Sequence, residues 1–316
     1  MEGTLKSTSR RWKHPQFLLI LLSPMIAELF SGSTPLLVFF RPFVFLVYLG
    51  FYGFGALIIR ETVARRRLNF ASVLLFGAAY GVLEEGIVLK SWFDPNWMGA
   101  TVVSGVLRLY GISILQPLTN VVYHAIISIG APILIVQSLS QSKEPWVSKR
   151  WTMLASGLFV ISAIAIALTF NYSYKIASWQ YLLCFVILGI FVALGWKGVR
   201  IPSGTKTYPP LGIWVFGTVF VILLFTIFYT LSYAHAKWFV IIPLAALLYV
   251  GYAVIFGLMD WRKATRRHHF AAAAGIATGL LPLALSLAWS RHGGYLNVLA
   301  GVIFIALLAI VYSRLD

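Results

Sequence analysis

The sequence predicts an all-α integral membrane protein, a polytopic bundle of about ten transmembrane helices with both termini cytoplasmic. Three observations carry that expectation. The 316 residues are 60% hydrophobic and 11% charged, with a mean hydropathy of +0.86. A soluble domain carries about 25% charged residues and cannot hide this much apolar surface in one core. Ten apolar runs of roughly membrane-spanning length follow one another, none with the strict alternation of a barrel strand. Finally, Lys and Arg alternate between crowded and sparse loops.

The runs cover residues 15–31, 43–60, 69–89, 112–139, 151–170, 179–196, 210–232, 238–259, 270–289 and 294–312. Because backbone groups in lipid must be bonded within their own segment, each is read as a helix. The first is the weakest: Pro24, Glu28 and the breaker Ser31-Gly32-Ser33-Thr34-Pro35 crowd its end. Arg10, Arg11 and Lys13 before it give the outline of a signal peptide. Glu28, however, sits where a cleavage region is small and neutral, so an uncleaved span is expected. With this threading, Arg41, Lys90, Arg108, Lys175, Lys237 and Arg291 fall on one side, and the other nineteen of the 25 Lys and Arg fall opposite. That asymmetry over short loops marks the crowded side as cytoplasmic and the protein as a multi-pass component of the cell membrane. It also accounts for the net charge of +16 without a nucleic-acid partner, since the basic residues form no patch.

The halves differ in polarity. Residues 1–145 are expected to form a four-helix membrane module carrying a polar site, and residues 146–316 a six-helix apolar module. Segments 140–150 and 197–210, punctuated by Pro145, Pro202, Pro209 and Pro210, are the candidate linkers. No internal repeat is visible, which argues against an inverted-repeat transporter. Cys184 is the one cysteine, so an internal disulfide is excluded. The chain has no HExxH, P-loop or GxSxG motif, and neither a metal nor a cofactor is expected. His268 and His269, beside Arg266 and Arg267, read as a solvated cytoplasmic loop or an anionic-lipid contact.

Chemistry concentrates on two adjacent helices. Glu84 and Glu85 end the third apolar run, and carboxylates inside hydrocarbon cost enough that they usually mark function. Gly77, Gly81 and Glu85 recur every four residues, a small-residue face that lets a neighbour approach and aims Glu85 into the bundle. On regular helical geometry Glu84 turns about 100° away, onto the stripe of Tyr80. On the fourth helix Gln116, Asn120, His124 and Ser128 form an i, i+4 stripe flanked by Thr119 and Tyr123. If the two faces meet, they enclose one polar pocket toward the external leaflet, in which the paired acids share protons rather than both ionising. A purely structural pairing of Glu and His would use the same residues. Glu28, close to a helix end, is a further pocket candidate. Lys90 and Asp94 are placed to neutralise or gate the acids. Trp92-Phe93-Asp94-Pro95-Asn96-Trp97 reads as an interfacial anchor around a turn, and residues 98–110 as a short interfacial helix. Tyr48 and Tyr52 on the second helix are read first as packing residues, with lining of the pocket as the alternative.

A Glu-Glu pair on one membrane helix, with a histidine about 40 residues later on the next, resembles the CPBP family of intramembrane proteases. That family includes the CAAX-processing endopeptidases and bacteriocin-protection proteins. Its pattern is Glu-Glu-x-x-x-Arg, then Phe-x-x-x-His, then a later His with Asn or Asp. Here Leu89 stands at the arginine position, with Lys90 one residue beyond, Asn120 stands at the phenylalanine position, and no later histidine within an apolar run completes the third motif. The resemblance covers residues 69–139 and implies that Glu84 and His124 activate the attacking water, with Glu85 in support and no metal required. The run from Leu83 to Trp97 also looks like a segment of uncharacterised prokaryotic membrane proteins. Two functions follow as expectations. One is hydrolysis of a peptide or lipid-linked substrate within the bilayer; the other is proton-coupled transport of a small or lipidic solute. A non-catalytic membrane scaffold is the third.

Overall fold

A computed structural model describes residues 14–97, 101–170, 174–199, 204–290 and 294–315. Among them, nine helices are long and apolar enough to cross a membrane, and a shorter one precedes them. They are α1 (Pro15–Leu29), α2 (Pro42–Arg65), α3 (Phe70–Val88), α4 (Leu115–Ser140), α5 (Lys149–Phe170), α6 (Ser178–Lys197), α7 (Pro210–Tyr233), α8 (Trp238–Leu258), α9 (Arg266–Trp289) and α10 (Tyr295–Ser313). The all-α polytopic bundle is therefore observed, with each expected run on one of these helices. The basic residues Lys6, Arg10, Arg11, Lys13, Arg200 and Arg291 lie outside the described residues.

Local sequence explains the helix ends. Pro15, Pro42 and Pro210 open their helices at a position where the missing N–H costs nothing. Asn69 caps α3, its side chain accepting from Ser72 N at 3.3 Å. Gln141 and Gly198 end α4 and α6 in left-handed conformations. At the start of α9, Thr265 N donates to His268 Nδ1 at 3.0 Å, and His268 Nε2 lies 3.1 Å from Tyr208 O. His268 is thus a buried capping residue, in contrast to the solvated one expected.

Burial sorts the helices into a centre and a rim. The most apolar windows of α3, α4 and α9 are 72%, 67% and 61% buried, whereas those of α5, α6, α8 and α10 range from 11% to 17%. The rim helices turn Ile161, Leu182, Leu247 and Leu299 outward, which suits a lipid solvent and no other. α9 reaches the centre because it is small-sided. A methyl group on Gly275 would come within 2.1 Å of Trp214 O on α7.

Two expectations about the outer loops are corrected. Trp92 and Phe93 are 3% and 1% exposed and pack with Val82 and Cys184, so they belong to the core and not to an interfacial belt. The segment holding them is fastened: Ser113 N donates to Trp92 O at 2.8 Å, and Tyr174 Oη donates to Phe93 O at 2.8 Å. Within 98–110, a helix spans only Thr101–Val106; it is followed by a hairpin of β1 (Arg108–Leu109) and β2 (Ile112–Ser113). Residues 98–100 lie outside the described residues.

One feature was not expected from periodicity. Five helices contain π-helical stretches: Met25–Leu29 in α1, Leu49–Gly53 in α2, Val82–Val88 in α3, Tyr123–Gly130 in α4 and Thr226–Thr230 in α7. The wide turn is explicit in Leu89 N→Glu84 O and Phe30 N→Met25 O, both spanning five residues at 2.8 Å. Such stretches are rare and concentrate where side chains must be re-aimed.

Candidate functional site

The first four π stretches converge, and each contributes a polar side chain: Glu28, Tyr52, Glu84 with Glu85, and His124. Close helix approach makes the convergence possible. A methyl group on Gly77 would lie 2.9 Å from Ala125 Cα, and one on Gly81 would lie 2.9 Å from His124 Cβ. The small-residue face predicted on α3 therefore meets α4 directly. Ser23 of α1 completes the junction, its hydroxyl near Tyr52 O at 3.1 Å and Ser128 O at 2.9 Å. Both carbonyls belong to π stretches, whose irregular bonding frees acceptors for side chains.

His124 stands between the acids. Its Nδ1 is 3.2 Å from Glu84 Oε2, and its Nε2 is 3.3 Å from Glu85 Oε1. Regular helical geometry would have turned Glu84 away from Glu85. The π turn holds more residues and narrows the angle between neighbours to roughly 80°, so both carboxylates face one imidazole. Glu84 and His124 are buried, and Glu85 is the most open of the three, with 14% of its side chain exposed. Ser91 Oγ donates to the second oxygen of Glu85.

Tyr52, expected to be packing, proves central. Its hydroxyl is bonded to Glu84 Oε1 and lies 2.6 Å from Glu28 Oε1. Glu28 Oε2 accepts from Thr34 Oγ1 at 2.6 Å, and Thr34 Oγ1 lies 3.0 Å from Tyr48 Oη. The turn presenting Thr34 is held by Asn297 of α10, whose amide donates to Leu29 O and Thr34 O, each at 2.8 Å. Thr34, inside the Ser31–Pro35 breaker, and Ser91, beside Lys90, gave no signal in the sequence that set them apart from loop residues. Asn297 was the most findable, being an amide inside a span.

The remaining candidates surround this centre. The Tyr80 ring is buried with its centroid 5.8 Å from that of His124. Asn120 is half-buried on the α3–α4 seam, its carbonyl 3.4 Å from the place a Gly81 Cβ would take. Gln116, one turn further out, is buried, with no hydrogen-bond partner in the structure for either amide atom. Lys90, in a left-handed conformation (φ 57°), donates to Tyr174 O at 2.6 Å and so ties the end of α3 to the loop before α6.

Glu84, Glu85 and His124 each offer a ligand atom within 4.8 Å of the others, the density of donors a cation needs. In the observed rotamers, however, the carboxylates address opposite ring nitrogens, whereas one ion takes one ring nitrogen.

Residues 17–314 match the profile of a family described as an uncharacterized membrane protein family. The chain belongs to that family. No curated protein and no solved structure matches it. Membership and the nine spanning helices make the chain a multi-pass membrane protein.

Proposed function

We propose that Glu84, His124 and Glu85 form the centre of a glutamate-type intramembrane hydrolase that cleaves a peptide or lipid-linked substrate with an activated water. One observation carries this reading. Glu84 Oε2 and His124 Nδ1 are buried 3.2 Å apart, and neither makes an aligned hydrogen bond. The other atom of each group is already occupied: Tyr52 holds Glu84 Oε1, and Glu85 faces His124 Nε2. If Nε2 carries the ring proton toward Glu85, Nδ1 presents a lone pair beside the free carboxylate oxygen. A water seated there donates one O–H to each and leaves its oxygen electron-rich, as a nucleophile requires. Glu85 then fixes the tautomer and orientation of the ring, the task of the third member of a triad. The Glu-Glu and His order that resembles the CPBP proteases supports the same division of labour, with Leu89, Asn120 and the absent later histidine as the departures.

The test supplies water carrying oxygen-18. The full chain in lipid nanodiscs, incubated with a membrane-peptide and lipid extract, should yield products carrying the label on a new carboxyl or hydroxyl group. Glu84→Gln and His124→Ala should each abolish labelling while remaining folded, and the double variant should lose no more than either single one. Equal labelling by wild type and both variants would remove the site from consideration. Proton-coupled transport is the second reading, favoured by the string of proton-bearing groups running from Glu28 to Glu85.

A further inference from the structure

We propose that Tyr52 and Glu28 form a proton relay connecting the buried Glu84–His124 centre with the outer surface at the Ser31–Pro35 turn. The contacts run unbroken as far as Glu84: Glu28 Oε1 to Tyr52 Oη at 2.6 Å and Tyr52 Oη to Glu84 Oε1; Glu84 Oε2 then lies 3.2 Å from His124 Nδ1 without an aligned hydrogen bond, and His124 Nε2 lies 3.3 Å from Glu85 Oε1. Burial grades along the string. Tyr52, Glu84 and His124 are 3%, 3% and 2% exposed, whereas Glu28 and Glu85 at its two ends are half-buried. Beyond Glu28 the chain turns through the exposed Ser33, and Thr34 N folds back onto Glu28 O at 3.0 Å.

Proton counting separates a relay from a structural clasp. The Tyr52 hydroxyl has one proton yet touches two carboxyl groups. Were both ionised, one contact would set two oxygens against each other with no hydrogen between them, in a buried site. Both contacts are satisfied when one carboxyl keeps a proton, and the two arrangements, proton on Glu28 or proton on Glu84, are mirror images about the phenol. A clasp between α2 and α3 needs only one acid. The second acid on the same oxygen makes the proton transferable. In the transfer, Glu84 gives its proton to Tyr52 Oη as Tyr52 gives its own to Glu28 Oε1. One O–H bond breaks and one forms at the phenol, so no phenolate appears and charge moves only between the carboxyls. Glu28 then exchanges with water at the outer turn. The relay serves the centre whether that centre hydrolyses a substrate or only passes protons.

Time-resolved infrared spectroscopy after photolytic proton release tests this on the full chain in nanodiscs, with no substrate present. The Glu84 carboxyl band is identified by its loss in Glu84→Gln. In wild type it should respond together with the Glu28 band. Tyr52→Phe should delay the Glu84 response by about ten-fold or more while leaving Glu28 fast. Glu28→Gln, which keeps the shape and the partners, should delay it likewise and carries the test if Tyr52→Phe does not fold. Tyr48→Phe, outside the transfer step, should change little. An unchanged rate in Glu28→Gln or Tyr52→Phe overturns the relay, because protons would then reach Glu84 by another route. Failure of oxygen-18 labelling, by contrast, would leave the relay intact.

Discussion

Gly81 of α3 faces His124 of α4 so closely that a methyl group on the glycine would come within 2.9 Å of the histidine Cβ. The contact is to a backbone-proximal atom that cannot swing aside, so the helices themselves must part. Gly81→Ala should lower stability by about 1–3 kcal/mol. It should also displace His124 from the carboxylates. Thermal unfolding in detergent reads the first effect, and nitrogen-15 shifts of the imidazole read the second. A variant with native stability and unchanged shifts would mean that the α3–α4 seam is looser than observed.

A protonated-carboxyl infrared band is expected at neutral pH. Tyr52 bridging Glu28 and Glu84 requires one shared proton, and the neighbouring Glu85 discourages full ionisation of the cluster. The band should vanish in Glu84→Gln/Glu85→Gln combined with Glu28→Gln. Single variants should shift it, since the titration belongs to the coupled set. Absence of the band in wild type would leave all the acids ionised and weaken the hydrolase and transport readings together.

Glu61→Ala should cost about 3–5 kcal/mol and open the 141–148 loop to proteases. Glu61 is fully buried. It pairs with Arg60 at 2.7 Å and Arg65 at 3.2 Å, and accepts from Trp146 N at 2.8 Å. Arg60 also lies 3.6 Å from the Trp146 ring centre. Removing the carboxylate takes a partner from two guanidinium groups and from two backbone donors, Trp146 N and Val147 N, the latter at 3.4 Å. Retention of the wild-type melting temperature and cleavage pattern would show the cluster to be dispensable.

Reporter fusions in the 60–67, 143–150, 197–206 and 262–267 loops should score cytoplasmic, and an external score at two of them would overturn the threading. Cys184 is 1% exposed, and its Sγ would lie 2.7 Å from a methyl on Gly86. It is shielded by protein as well as by lipid. It should therefore resist membrane-permeant maleimide too, reacting only after denaturation.

Much of the site's membership was legible in the sequence, because a carboxylate or imidazole inside an apolar run stands out against its neighbours. Glu84, Glu85 and His124 stood out in this way, and Gly77 and Gly81 marked the face on which they would meet. Tyr52 was legible only as a packing or pocket-lining residue. Tyrosine is common in membrane helices as packing, and only its position between Glu28 and Glu84 brings the hydroxyl into the cluster. The Arg60–Glu61 pair was hidden for a related reason: charges near a helix end read as loop residues until the loop is seen folded over them.

The sequence by itself determined the solvent and the polytopic helical class, since hydropathy is a sum over local composition that no packing detail alters; the orientation read from loop charge awaits the reporter fusions. Only the tertiary structure decided which polar groups touch. The π stretches change the angle between neighbouring residues, and no i, i+4 pattern announces them, because they arise where packing between helices re-aims side chains at the expense of regular bonding. Through them Glu84 turns to the same imidazole as Glu85, and the first four helices bring their proton-bearing groups to one place.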